Sequence, residues 1–138
     1  MRAVLDANVI ISALLSRDGA PARIFRAWVG GEFELVVSPL LLEELERALR
    51  YPKLARRVDR DEAVSFLAWL RRSARLEPDP ESSPSRRSRD PGDDYLLALA
   101  ERQAAYLVSG DEHLLELAAD APIVAPNEFL EMLAETPR

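Results

Sequence analysis

Hydrophobic and polar positions along the chain switch repeatedly between a strand-like run and a helical spacing, and the switches divide it into short alternating elements. Residues 2–5 form an apolar run that stops at Asp6, which predicts a buried strand. Residues 9–15 follow as helix, closed by Asp18-Gly19, and a second helix over residues 22–29 stops at Gly30-Gly31. Residues 33–37 read as a strand. Ser38-Pro39 then supplies an N-cap and a proline at the first helical position, opening a helix over residues 40–50 that Tyr51-Pro52 breaks. Val64, Leu67, Ala68 and Leu70 share helical spacing and predict a helix over residues 61–73, followed by a short strand at 74–76. From Glu77 to Gly92 periodicity is lost among Pro78, Pro80, Pro84, Pro91 and a polar run, which predicts a long exposed loop, either functional or disordered. Helix over 93–104, strand over 105–108, helix over 112–118, strand at 123–124 and helix over 128–134 complete the chain.

Strands separated by helical segments imply a parallel sheet with helices on both faces, an α/β fold of three layers in a single domain spanning residues 1–138. Ligands of such sheets sit beyond the carboxyl ends of the strands. Asp6 ends the first strand and Asp111 follows the strand that ends at Val108. Glu44 and Asp93 lie near the starts of helices facing that edge. These four carboxylates are the candidates for one site.

Composition narrows the chemistry. No cysteine and a single histidine, His113, exclude thiolate nucleophiles, disulfides and thiolate or multi-histidine metal centres, so a metal here takes oxygen ligands. An acid arrives too early in the first residues for a secretory leader, and no apolar run is long enough to span a bilayer, so a cytoplasmic protein is expected. The net charge is −6, yet residues 47–89 hold twelve of the eighteen basic groups against six acids. A basic middle between acidic ends suits a phosphate-backbone surface beside a cation site, although solvated helix faces give the same pattern.

Each acid also has a plainer role. Asp6, Asp93 and Asp111 all stand where helix caps occur, Asp93 within Asp90-Pro91-Gly92-Asp93 as the reciprocal partner of a capping box. Helical geometry sets Glu44 on the shoulder of the Leu41–Leu45–Ala48 stripe, where an acid needs a partner or a metal, and turns Glu43 and Glu46 to solvent. Asp93 shares the stripe of Leu97, Ala100 and Ala104, whereas Asp94 sits at its edge as a secondary metal-ligand candidate. Four carboxylates together select a hard divalent cation, Mg²⁺ or Mn²⁺, and such clusters commonly serve phosphoryl transfer.

Leu5-Asp6-Ala7-Asn8 running on to Ser12, Val37-Ser38-Pro39 with Glu44-Leu45, Asp90-Pro91-Gly92-Asp93-Asp94, and Leu107-Val108-Ser109-Gly110-Asp111 resemble, in order and over essentially the whole chain, the PIN-domain nucleases, and among them the VapC-like toxins of bacterial and archaeal toxin–antitoxin systems. The resemblance implies an α/β/α sandwich and a Mg²⁺- or Mn²⁺-dependent endoribonuclease site formed by Asp6, Glu44, Asp93 and Asp111. It also implies that Asn8, Ser38 and Ser109 support the acids, and that the protein is a homodimer held by an antitoxin. Ser109 stands where many members carry threonine. A metal-activated water would be the nucleophile, because no histidine is suitably placed.

RNA contacts are expected from Arg71, Arg72 and Arg75 and from the loop residues Arg86, Arg87 and Arg89, and a dimer contact around Leu42, Phe66 or Trp69. Other acid-bearing α/β classes fit less well: a dehalogenase-type phosphatase needs an aspartate where Asn8 stands, a receiver module needs a late lysine, and the glycine fingerprint of dinucleotide binders is missing. The remaining alternative is a non-catalytic RNA- or partner-binding module of the same fold.

Overall fold

The computed structural model describes residues 1–85, 87–88 and 90–136. Five parallel strands, β1 (Arg2–Leu5), β2 (Glu34–Val37), β3 (Arg75–Leu76), β4 (Tyr106–Val108) and β5 (Ile123–Val124), form one sheet in the order β3-β2-β1-β4-β5. The three inner strands carry almost nothing but Val, Leu and Ala at buried positions, as a sheet covered on both faces requires. Among the described residues, eight α-helices flank it: α1 (Ala7–Leu15), α2 (Ala20–Val29), α3 (Pro39–Arg50), α4 (Pro52–Ala55), α5 (Arg60–Ser73), α6 (Asp94–Arg102), α7 (Glu112–Leu115) and α8 (Pro126–Glu135). The result is the expected three-layer α/β arrangement. A main core of buried, mostly aliphatic side chains runs through it and includes Phe33 and Phe129 in an edge-to-face contact at 5.0 Å, and Leu49, Val58 and Ala63 form a second, smaller cluster.

The strand order fixes where a site can form. From β1 the chain crosses to β2 and β3 on one side and later returns to place β4 and β5 on the other, so the connections diverge between β1 and β4. Divergence opens a crevice above the carboxyl ends of that pair, the usual ligand position in open α/β sheets. Leu5 pairs with Val108 at its mouth, and the Asp6 N–H continues the ladder onto the Val108 carbonyl at 3.0 Å.

Several elements differ from expectation in instructive ways. On α5 Leu67 and Leu70 lie on the inward side as expected, but Ala63 and the partly buried Phe66 join them in place of Val64 and Ala68, a small rotation that leaves Val64 50% exposed. The rotation is set by aromatic packing against α2, where Phe66 meets Phe25 and Trp69 meets Trp28. Of the expected dimer-contact residues, Leu42 is buried in the core, whereas Phe66 and Trp69 keep part of their surface exposed beside these contacts. A 3₁₀ turn over Pro91–Asp93 precedes α6, whose end is marked by Ala104 at φ 50°. Gly31, at φ 80°, takes the left-handed conformation that ends α2.

The proline-rich segment after β3 has no helix or strand over its described residues before Pro91, but it is strapped down. Asp79 Oδ2 accepts from the Leu40 N–H at 2.9 Å, Ser85 donates through both N–H and Oγ to Glu101, and the Ser88 N–H donates to Asp94 Oδ1 at 2.9 Å.

Candidate active site

Asp6 closes β1 with its carboxylate buried in the crevice and caps α1, accepting the Asn8 N–H at 3.4 Å. Its other oxygen accepts the Ser109 hydroxyl at 2.8 Å, which ties the ends of the two diverging strands together. Ser109 is fully buried, and its Oγ also accepts the Asp111 N–H at 3.0 Å, so one hydroxyl positions two of the four acids. Burial raises the Asp6 pKa; the Ser109 bond opposes this and repulsion from Asp111 adds to it. Asp111, half-buried, caps α7 by accepting the His113 N–H at 2.8 Å, while His113 itself is exposed.

Glu44 lies half-buried on the shoulder of α3, and its Oε1 accepts the Tyr95 hydroxyl at 2.6 Å. Burial, then this bond, pushes the Tyr95 phenol well above its ordinary pKa, so it acts as a fixed donor. Asp93 is the most perturbed carboxyl of the group. Burial and then repulsion from Asp6, Asp90, Asp111 and Glu44 push it up to about 6, and its Oδ2 is buried with no hydrogen-bond partner among the described residues. An orphaned carboxylate oxygen among like charges is costly without a cation. The Asp93 carboxylate forms no capping box; Asp90 alone caps the turn, through the Gly92 N–H at 3.0 Å.

The four acids therefore converge closely enough to repel one another, yet among the described residues no three Asp, Glu or His side chains stand ready to ligate one ion. Oxygen-only chemistry and the unpartnered Asp93 oxygen fit a hard divalent cation. Asp94 is turned away to the loop as the acceptor for Ser88. Of the three supporting residues, Ser109 holds Asp6, Ser38 caps α3 through the Leu41 N–H at 3.3 Å, and Asn8 reaches Asp6 by its backbone alone.

Two residues join the site that sequence reasoning passed over. Tyr95 had a signal, since a phenol near a buried helix face needs a partner. Asp79 had none: its contact to α3 spans 39 residues, and its Oδ1 is also buried without a partner among the described residues. The arginines are less uniform than expected. Arg75 bonds to Glu77 at 2.7 Å and reaches Glu34, the first residue of β2, at 3.2 Å, so it is not a free phosphate ligand. Arg71 and Arg72 are exposed in the last turn of α5, where the chain enters β3. Arg87 is exposed on the loop, where its guanidinium donates to the Ser83 hydroxyl at 2.7 Å, whereas Arg86 and Arg89 lie outside the described residues.

A family model for the PIN domain matches residues 2–113, which takes in all four acids. The chain belongs to the PIN domain family. PIN domains are in general nuclease-type and work with a divalent metal. This PIN domain is 23% identical over 141 residues to the uncharacterized protein MJ1680 of Methanocaldococcus jannaschii, covering 95% of this chain and 90% of that one. Among solved structures it resembles PAE2754 from Pyrobaculum aerophilum, with a TM-score of 0.65, 22% identity and 99% and 97% of the two chains covered. It also resembles a PilT N-terminus domain protein, SSO1118, from Sulfolobus solfataricus P2, with a TM-score of 0.57, 14% identity and 100% and 98% coverage.

Proposed function

We propose that this PIN domain is a divalent-metal-dependent endoribonuclease, the toxin of a toxin–antitoxin pair, acting as a homodimer. The observation that carries the nuclease reading is the meeting of Asp6, Glu44, Asp93 and Asp111 at the divergence of β1 and β4, with one Asp93 oxygen buried and unpartnered. Asp6, Glu44, Asp93 and Asp111 would hold Mg²⁺ or Mn²⁺. When bound, such a cation offsets charge on the scissile phosphate and makes water a better nucleophile at neutral pH.

The chain's own residues do the remainder. Ser109 keeps the Asp6 carboxylate fixed and favours its ionised form by donating to it, and Tyr95 holds one oxygen of Glu44. Uncompensated, the four negative charges repel a polyanion, which makes binding of substrate depend on the cation. Arg87, exposed on the loop and held only by the neutral Ser83 hydroxyl among the described residues, is the loop arginine proposed to meet the RNA backbone.

Asp6→Asn tests this reading. Mn²⁺-dependent cleavage of a fluorogenic RNA is lost, leaving 5′-phosphate ends from the wild type only, while the metal-free melting temperature holds or rises because one crowded charge is gone. Equal activity in the variant would remove Asp6 from the site. Metal-independent RNA binding without cleavage by the wild type favours the non-catalytic alternative.

A further inference from the structure

Immediately beside the acids lies a cleft of about 320 Å³ that none of the roles above uses. Asn8 and Ser12, one turn apart on the exposed side of α1, form one wall, and Gly110 and Asp111 form the other. Pro21, opening α2, and Pro126, opening α8, frame it. Three features define what it would hold.

First, its polarity is neutral: Asp111 is the only charged residue of the lining, and it sits where the cleft joins the acid cluster. A lining without a cation does not retain a free phosphate, so the occupant is an uncharged group attached to a phosphate that rests among the acids. Second, the Asn8 amide and the Ser12 hydroxyl make no side-chain hydrogen bond among the described residues, so a donor–acceptor pair and a hydroxyl are left available. An amide of this kind matches the edge of a nucleobase, and a hydroxyl matches a ribose 2′-OH. Third, the shape is open and flat-sided. A Cβ at Gly110 would meet nothing within 4 Å, and the two prolines present apolar ring surfaces with no N–H to satisfy. The volume lies at the small end of ligand pockets, enough for one nucleoside and too little for a duplex.

We propose that this cleft seats the nucleoside adjoining the scissile phosphate, with Asn8 at the base edge and Ser12 at the ribose, and so sets which base is accepted next to the cut. The proposal rests on the ribonuclease reading for its substrate, but its test does not depend on cleavage. Uncharged adenosine, cytidine, guanosine and uridine are titrated separately into the metal-free protein and followed by backbone amide NMR. Shifts centred on Asn8, Ser12 and Gly110, larger for one base than for the others, are expected. Shifts elsewhere, or none at saturating nucleoside, overturn the proposal.

Two variants fill the cleft from opposite walls, Gly110→Leu and Ser12→Phe; either one that keeps the wild-type melting temperature serves. The nucleoside shifts disappear in it. For cleavage, replacing the base next to the cut by an abasic ribose lowers kcat/KM of the wild type about tenfold, whereas in the filled variant the intact and abasic substrates are cut alike. An abasic penalty that is equal in wild type and variant removes the cleft from substrate recognition. If no RNA is cut by the wild type, the nuclease reading falls while the nucleoside titration still decides the cleft.

Discussion

Asp93 concentrates the electrostatic tension of the site in a single side chain. Its pKa, raised to about 6 by burial and by four neighbouring carboxylates, lies above the 3.8 of an unstructured aspartate, so the folded state holds its proton more tightly than the unfolded one. Metal-free stability therefore falls as pH rises from about 4 to 6 and the penalty is complete above that window. Half exposure discounts the effect, and Asp93→Asn is expected to raise metal-free stability at pH 7 by about 1 kcal/mol. Chemical denaturation at pH 4.5 and 7.5 checks this: the gain shrinks at the lower pH, and a gain equal at both would assign it to something other than charge. At this scale the sequence displayed the acids but not their bonds. Asp6 and Asp111 were legible because each follows a buried apolar run, and Glu44 because of its position on a helical stripe. That Ser109 serves both aspartates, or that Tyr95 holds Glu44, depends on contacts between strands and helices that no local spacing encodes.

Element α3 shows what local sequence specifies well. Ser38-Pro39 sets its start, Leu41, Leu45 and Leu49 bury one face, and Glu46 pairs with Arg50 at 2.7 Å on the other. The N-terminus has two acceptors, Ser38 Oγ from within and Asp79 Oδ2 from the loop, serving the N–H groups of Leu41 and Leu40 respectively. Ser38→Ala is expected to lower stability by roughly 1 kcal/mol. Asp79→Ala lowers it by a similar amount and also frees the loop, so limited proteolysis within residues 80–90 accelerates for Asp79→Ala and not for Ser38→Ala at matched stability. Equal cleavage of the two would mean that the strap does not hold the loop. Helices with caps and a single apolar stripe are readable; on α5 Leu67 and Leu70 face inward as their spacing predicts, but Val64 and Ala68 do not, because aromatic side chains packed on α2 outweigh the aliphatic spacing. The short α4 was missed because four residues carry too little periodicity to register.

Across the whole molecule, charge is divided over the sheet: the candidate acids gather by the carboxyl ends of β1 and β4, while Arg2, Glu34, Arg75 and Glu77 form an ion-pair chain along β1, β2 and β3. The sequence disclosed the basic middle but not this division, which only the strand order reveals. Reversing Arg87 to Glu should weaken RNA binding and reduce the salt slope by about one, while Arg71→Glu leaves both unchanged; an equal effect of the two would extend the RNA path to the end of α5. Assembly is the other property of this scale. Light scattering over a concentration series should give a mass of two chains, and a monomer at high micromolar concentration removes the dimer. The sheet itself limits how such a pair is joined. Its outermost strands, β3 and β5, contain two residues each, so neither flank offers a hydrogen-bonding rail long enough to recruit a neighbour's backbone. Growth by strand addition is arrested at both sides, which leaves helix surfaces to join partners and protects a chain rich in buried valine and leucine against fibre-like stacking.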